Sequence, residues 1–214
     1  PYLPMNRSKE NPVTDAPFRP FDTHLDEAAA LATLREATAG ADDGELFLER
    51  RRAESIVLDD GRIRQATYDA SQGFGLRAVR GEVAGYAHST EITETALRRA
   101  AETARLAVGQ GGGTLAPPPR GTNTRLYRPD DPMADAAFPV KIDLLREIDA
   151  YARALDPRVV QVSAALSASL QEVEILRPEG ARLTDIRPMA RLNVSVMIEE
   201  NGRREQGGMG QGGR

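Results

Sequence analysis

The segment Arg191-Leu192-Asn193-Val194-Ser195-Val196-Met197-Ile198-Glu199-Glu200-Asn201-Gly202 decides the fold class. Leu192, Val194, Val196 and Ile198 recur every second residue, the period of a strand with one face turned inward. Asn201-Gly202 then supplies the strongest short-range hairpin signal in the chain, because both residues tolerate the left-handed backbone of a two-residue turn. A partner strand has to follow, yet only Arg203 to Arg214 does so, and Gly207-Gly208-Met209-Gly210-Gln211-Gly212-Gly213 has little side-chain surface to bury. The glycine cluster therefore reads as a flexible turn or sheet connection. By the same reasoning Arg191 to Glu200 reads as an edge strand, and the chain as one that stops in mid-architecture.

Working upstream, Val160, Val162, Ala164 and Leu166 alternate in the same way, Leu170 to Leu176 continues the strand region, and Glu179-Gly180 marks a turn. Before them the phase changes to helical: Val140, Leu144, Leu145, Ile148, Ala152 and Leu155 recur at three- and four-residue spacing until Asp156-Pro157 stops the helix. Gly109 to Thr124 holds Gly111-Gly112-Gly113 and Pro117-Pro118-Pro119, which lack core-forming capacity and read as a linker.

The first half shows the same alternation of hairpins with single helices. Glu45 to Arg52 and Ala53 to Leu58 are strand-like, Asp60-Gly61 is a hairpin turn before Arg62 to Asp69, and Gly73 to Arg80 with Glu82 to His88 form a second pair. Thr93 caps a helix whose Leu97, Ala100, Ala101, Ala104 and Val108 share one face. An earlier amphipathic helix carries Leu25, Ala28, Leu31 and Leu34, with Asp22 and Thr23 as its N-cap residues and its end near Gly40. Pro1 to Phe21 is polar and broken by Pro4, Pro12, Pro17 and Pro20, the composition of a tail or extended arm.

The expected fold is α+β: a curved antiparallel sheet with flanking helices, followed by a helix and the start of a second, mostly antiparallel β-region. The expected divisions are a tail at 1–21, an amino-terminal α+β domain at 22–108, a Gly/Pro linker at 109–124 and a second α+β region at 125–214.

The chain has 214 residues, of which 40% are hydrophobic and 28% charged, proportions of a globular protein. Its 28 basic and 32 acidic residues leave a net charge of −4, which offers no field to attract nucleic acid or anionic lipid. No run approaches the ~20 apolar residues of a membrane span, and the first twenty residues lack the apolar core of a signal peptide. With no cysteine, disulfides, thiolate metal sites and cysteine nucleophiles are all excluded within this sequence. A cytoplasmic protein is the expectation.

The residues that carry chemistry elsewhere are sparse here. His24 and His88 are the two histidines, far from the ligand set a zinc peptidase needs, and each reads as a surface or supporting histidine. His88-Ser89-Thr90 places a base beside hydroxyls, but neighbours on a strand point to opposite faces, so helix-entry capping by Ser89 and Thr90 is the simpler reading. Gly73-Phe74-Gly75 lacks the third glycine and following helix of a dinucleotide fingerprint and reads as strand. Arg50-Arg51-Arg52 places guanidiniums on both faces of a strand, and Asp59-Asp60, Asp130-Asp131 and Glu199-Glu200 sit beside turns or strand ends, where solvated side chains are the rule.

Taken in order, Glu54-Ser55-Ile56-Val57-Leu58-Asp59-Asp60-Gly61, Gly73-Phe74-Gly75-Leu76-Arg77-Ala78-Val79-Arg80-Gly81 and Gly85-Tyr86-Ala87 resemble the amino-terminal part of the TldD/PmbA family. Asp185-Ile186-Arg187-Pro188, Arg191 to Val196 and Glu199-Glu200-Asn201-Gly202-Arg203-Arg204-Glu205 are similar to the TldD branch, and the likeness spans about Leu31 to Arg214. The resemblance implies the amino-terminal part of a cytoplasmic zinc metallopeptidase subunit that works on unfolded peptides beside a TldE (PmbA) subunit or in a homo-oligomer. In that family the zinc ligands and catalytic glutamate lie in a histidine-glutamate helix motif and a later cysteine of the carboxy-terminal half. None of those positions occurs here, so no catalytic, cofactor-binding or metal residue is assigned and this chain is expected to be inactive alone. The expected role of this part is to build the enclosure wall and partner contacts, with edge strands such as Arg191 to Glu200 holding extended peptide. A non-catalytic PmbA/TldE-type partner or interaction module is the alternative reading, and a modulator of DNA gyrase a third.

Overall fold

The computed structural model describes residues 17–109, 128–134 and 136–213. Residues 1–16 of the expected arm and all but Gly109 of the expected linker lie outside the described residues. Ten elements follow in order: α1 (Pro20–Thr23), α2 (Glu27–Ala37), β1 (Asp43–Asp59), β2 (Arg62–Arg80), β3 (Val83–Ser89), α3 (Glu94–Val108), α4 (Phe138–Leu155), β4 (Val159–Leu176), β5 (Arg182–Glu200) and β6 (Arg203–Gly213). The fold is mixed α+β and antiparallel, as expected.

All six strands belong to one open sheet of order β3-β2-β1-β4-β5-β6. The second β-region does not begin a sheet of its own, because β4 pairs with β1 from Leu46↔Leu176 to Asp59↔Ser163. The turn chemistry read from sequence holds: Asp60 and Gly61, like Asn201 and Gly202, have positive φ between antiparallel strands.

Three local readings need correction. The two strand runs within 45–58 are one strand, and those within 62–80 are another. Arg50, Arg52 and Glu54 interrupt the apolar alternation without interrupting the ladder, since ladder bonds are made by backbone. The glycine cluster is not a turn or connection but β6, paired with β5 from Glu200↔Arg203 to Ala190↔Gly213, so β5 is not an edge. Glycine removes side-chain packing from a strand but leaves its N–H and C=O groups free to pair. Finally, the arm ends earlier than Phe21: Phe18 and Phe21 are buried and α1 spans the place where the α2 cap was expected. The cap is Asp26, whose carboxylate accepts from the Ala29 N–H at 2.8 Å.

Strand alternation sends Leu46, Leu48, Ile56 and Leu58 to one face, and the helices pack there. At one end α2 and α3 cover Leu46, Leu48, Phe74, Leu76 and Leu176. α3 approaches closely because Gly85 has no Cβ to meet the Ala104 carbonyl. At the other end α4 contributes Leu145 to a smaller cluster with Ile56, Leu58 and Ala164. The opposite face, where Ser55 pairs with Ser167 and Ser163 with Ser195, supports no hydrophobic cluster among the described residues.

Candidate functional site: a charged belt and an open sheet face

Between the two apolar clusters the covered face carries a belt of buried charge. The alternation of Arg50-Arg51-Arg52 is as read, with Arg51 exposed, but Arg50 and Arg52 are 3% and 6% exposed instead of solvated. Arg50 donates through Nε (2.8 Å) and Nη2 (2.6 Å) to Glu172 Oε2, whose other oxygen accepts the Phe18 N–H at 3.1 Å. The Arg50 guanidinium also lies 5.6 Å from the Phe18 ring centre. Arg52 pairs with Asp131 at 2.9 Å, and Asp131 caps its own turn by accepting the Met133 N–H at 2.9 Å. Lys141 of α4 donates to Glu54 at 2.7 Å and to the Met133 carbonyl at 2.8 Å.

These contacts fasten the segment before α1, the 131–133 turn and α4 onto the middle of β1 and β4. Each carboxylate is neutralised by a cation, the second oxygens of Glu172 and Asp131 accept backbone N–H groups, and Lys141 also donates to the Met133 carbonyl. That is the arrangement in which buried charge is tolerated. A cavity of about 650 Å³ beside the belt is lined by Arg52, Glu54, Tyr68, Asp131, Leu170 and Glu172. Sequence reading missed the belt because its partners lie 79 to 122 positions apart (131 − 52 and 172 − 50), and no local spacing reports such pairs.

On the open face, a groove of about 450 Å³ crosses from β1 and β2 to β6, and one of about 310 Å³ runs over β4, β5 and β6. The first is lined by Val57, Asp59, Arg64, Gln161 and Ser163, the second by Ala165, Asn193, Gly208 and Gly210. Serine, asparagine and glycine on β4, β5 and β6 keep this surface shallow. Its border is β6, exposed along its whole length and paired, among the described strands, with β5 alone. Its outward backbone groups are therefore open to another extended chain.

The other candidates stay dispersed. His24 Nδ1 meets Thr23 Oγ1 at 2.6 Å, whereas His88 stacks on Tyr86 with ring centres 5.8 Å apart. Ser89 Oγ accepts the Glu91 N–H at 3.0 Å in the turn before α3, but the α3 cap itself is Thr93, which accepts the Ala96 N–H at 3.2 Å, and not Ser89 or Thr90. Gly73 and Gly75 are strand residues: an added Cβ would meet the Ser89 carbonyl at 2.6 Å and the Tyr86 hydroxyl at 2.7 Å. Asp59 accepts from Gln161 at 2.9 Å, Asp60 pairs with Arg153, Glu199 with Arg204 at 2.6 Å and Glu200 with Arg158 at 3.2 Å.

Among the described residues no group of three or more His, Cys, Asp or Glu side chains is placed to hold a metal ion. The buried carboxylates face guanidinium and ammonium groups, which would repel a cation, so the donor set does not fit a metal. Nor is any helix among the described residues long and apolar enough to cross a membrane.

Comparison with known proteins places this architecture. Residues 44–108 match the model described as PmbA/TldA metallopeptidase domain 1, and residues 131–214 match the PmbA/TldA metallopeptidase central domain. The chain is 38% identical over 176 residues to the metalloprotease TldD homolog of Haemophilus influenzae, covering 81% of this chain and 36% of that protein. It is 36% identical over 178 residues to the TldD homolog of Buchnera aphidicola subsp. Schizaphis graminum, covering 83% and 37%. The chain thus spans little more than a third of the length of these relatives. In fold it is similar to TldE from Thermococcus kodakarensis, with a TM-score of 0.69 at 16% identity over 86% of this chain and 42% of that one. It is also similar to a putative modulator of DNA gyrase from Bacteroides thetaiotaomicron, with a TM-score of 0.65 at 16% identity over 87% and 44%. With both domain models matched in order across the sheet, this chain belongs to the PmbA/TldD family and corresponds to the amino-terminal portion of a longer TldD-type protein.

Proposed function

We propose that this chain is the non-catalytic amino-terminal part of a TldD-type zinc metallopeptidase subunit, which acts on unfolded peptides in the cytoplasm together with a TldE-like subunit. The observation that carries the reading is the one-sided sheet. Helices seal one face, while the other presents shallow polar grooves that end at the glycine-rich edge β6. A wall of this kind suits an enclosure for peptide. An edge whose 207–213 stretch is mostly glycine suits recognition through backbone hydrogen bonds, which is indifferent to peptide sequence. The names of the TldD relatives support the metallopeptidase part of the reading. Zinc would be held outside these residues, because their donor set does not fit it.

Two measurements test it. Native mass spectrometry of the complete protein from its source should find a subunit longer than this chain, with one zinc and a second related subunit. A metal-free chain without a partner overturns the peptidase reading. For the edge, Met209→Pro and Gly210→Pro should be compared by fluorescence anisotropy with a labelled, lysine-solubilised polyalanine octapeptide. Successive residues of a strand point their N–H groups to opposite sides, so one substitution of the pair removes an outward donor and lowers affinity, while β6 stays paired to β5. Equal affinity for both variants and the parent excludes the edge as the binding element.

A further inference from the structure

The apolar stripe of α4 points largely away from the sheet. Val140, Leu144, Tyr151 and Leu155 are 59%, 43%, 68% and 67% exposed, while Leu145 and Lys141 of the same helix are buried. At about 100° per residue the four exposed side chains fall within a sector of about 60°. Isolated exposed apolar residues are ordinary, but four aligned along one helix form a docking stripe.

Two features of the stripe define what covers it. First, it is symmetric: Val140 and Leu155 are equidistant from the midpoint between Glu147 and Ile148, and so are Leu144 and Tyr151. An antiparallel helix of the same layout would set Val140 against the equivalent of Leu155, and Leu144 against the equivalent of Tyr151. Second, the exposed flank of the stripe carries acidic charge, while Lys141 on the other flank is buried. Glu147 lies halfway along the stripe, about 20° outside its edge, with no ion-pair partner among the described residues, and Asp143 lies on the same flank, engaged only with exposed Arg146 at 3.4 Å. In a pair of identical chains the two Glu147 carboxylates would meet at the axis, where like charge opposes association.

We infer that α4 docks antiparallel against the equivalent helix of a related but non-identical chain, one that carries lysine or arginine opposite Glu147. The apolar pairs supply contact area, and Glu147 selects the unlike partner over a second copy. This inference rests on the proposal of a TldE-like partner and locates its contact.

The charge is tested with the full chain as its own probe. Sedimentation velocity is run on the parent, on Glu147→Lys, and on their equimolar mixture, which creates a Glu147–Lys pair across the axis. The mixture should associate about tenfold more tightly than either protein alone, and Leu144→Ser in both members should abolish the gain. Equal association of parent and mixture, a tight parent homodimer, no association in any sample, or a gain that survives Leu144→Ser each overturns the inference. The two proposals fail separately: a two-subunit complex by native mass spectrometry together with an inert charge swap removes the α4 contact and leaves the partner standing.

Discussion

Helices α3 and α4 look alike in sequence and behave differently in the fold. Both are amphipathic and lie on the same face of the sheet. α3 buries Ala96, Leu97, Ala100, Ala101, Ala104 and Val108, whereas α4 buries Leu145 and Lys141 and leaves most of its large apolar side chains exposed. Their ends differ too: Thr93 caps α3 with its hydroxyl, while Ala137 begins α4 without a side-chain cap and relies on Pro139 in the first turn. Small residues let α3 sit close to Gly85 along one face, whereas α4 is held by Leu145 with partly buried Ile148 and by the Lys141–Glu54 and Arg153–Asp60 ion pairs. The lesson is that an apolar period shows that a helix has something to bury and does not say against what.

Substitutions at the two ends and the belt between them sharpen this contrast. The largest effect is expected at Glu172→Ala, which removes the carboxylate that the buried Arg50 guanidinium faces and releases the Phe18 N–H. Loss of one member of a buried pair costs about 3–5 kcal/mol, read as a drop in the chemical-denaturation midpoint. A variant within about 1 kcal/mol of the parent would show that the belt is not a fastening. Leu97→Ala comes next, at about 2–5 kcal/mol for a cavity under α3. Leu144→Ala on α4 should stay within about 0.5 kcal/mol in the same assay. Similar losses at both leucines would break the comparison, because they would mean that the α4 stripe is packed within the chain.

The smallest effect is a titration at the end of α4. The Arg158 side chain and its N–H hold the Asp156 carboxyl down at about 2, below its ordinary 3.8. A depressed carboxyl adds stability that is complete above the ordinary value and is lost as pH falls through the folded one. Asp156 lies at the surface with its side chain 31% exposed, so a carbon-detected NMR titration should show its midpoint near 2 while the unfolding midpoint barely moves. A midpoint near 3.8 would dissolve the ion pair.

Much of this architecture is legible locally. Both two-residue hairpin turns, the Thr93 cap and the buried face of α3 follow from residue types at fixed spacing, as does the ordered set of motifs that resembles the TldD/PmbA family. The readings that failed did so for two reasons. Glycines 207 to 213 looked unable to form a strand because side-chain patterning is silent about backbone pairing. Arg50 and Arg52 read as solvated because their partners, Glu172 and Asp131, are distant in sequence. Phe18 was assigned to an arm for the same reason, since its anchors, Glu172 and Arg50, are remote. Because the glycine stretch pairs as β6, the sheet edge lies one strand beyond β5.

The sequence by itself determined the antiparallel α+β class, the turn positions, the helix faces and the family, because each rests on interactions within a few residues or on motif order. Only the tertiary structure decided that the two β-regions share one sheet, which charges are buried, and that β6 rather than β5 is the edge. It also decided that α4 keeps its apolar stripe outside. Those outcomes depend on which distant segments meet, and burial and pairing energies are assigned by that meeting and not by any local pattern.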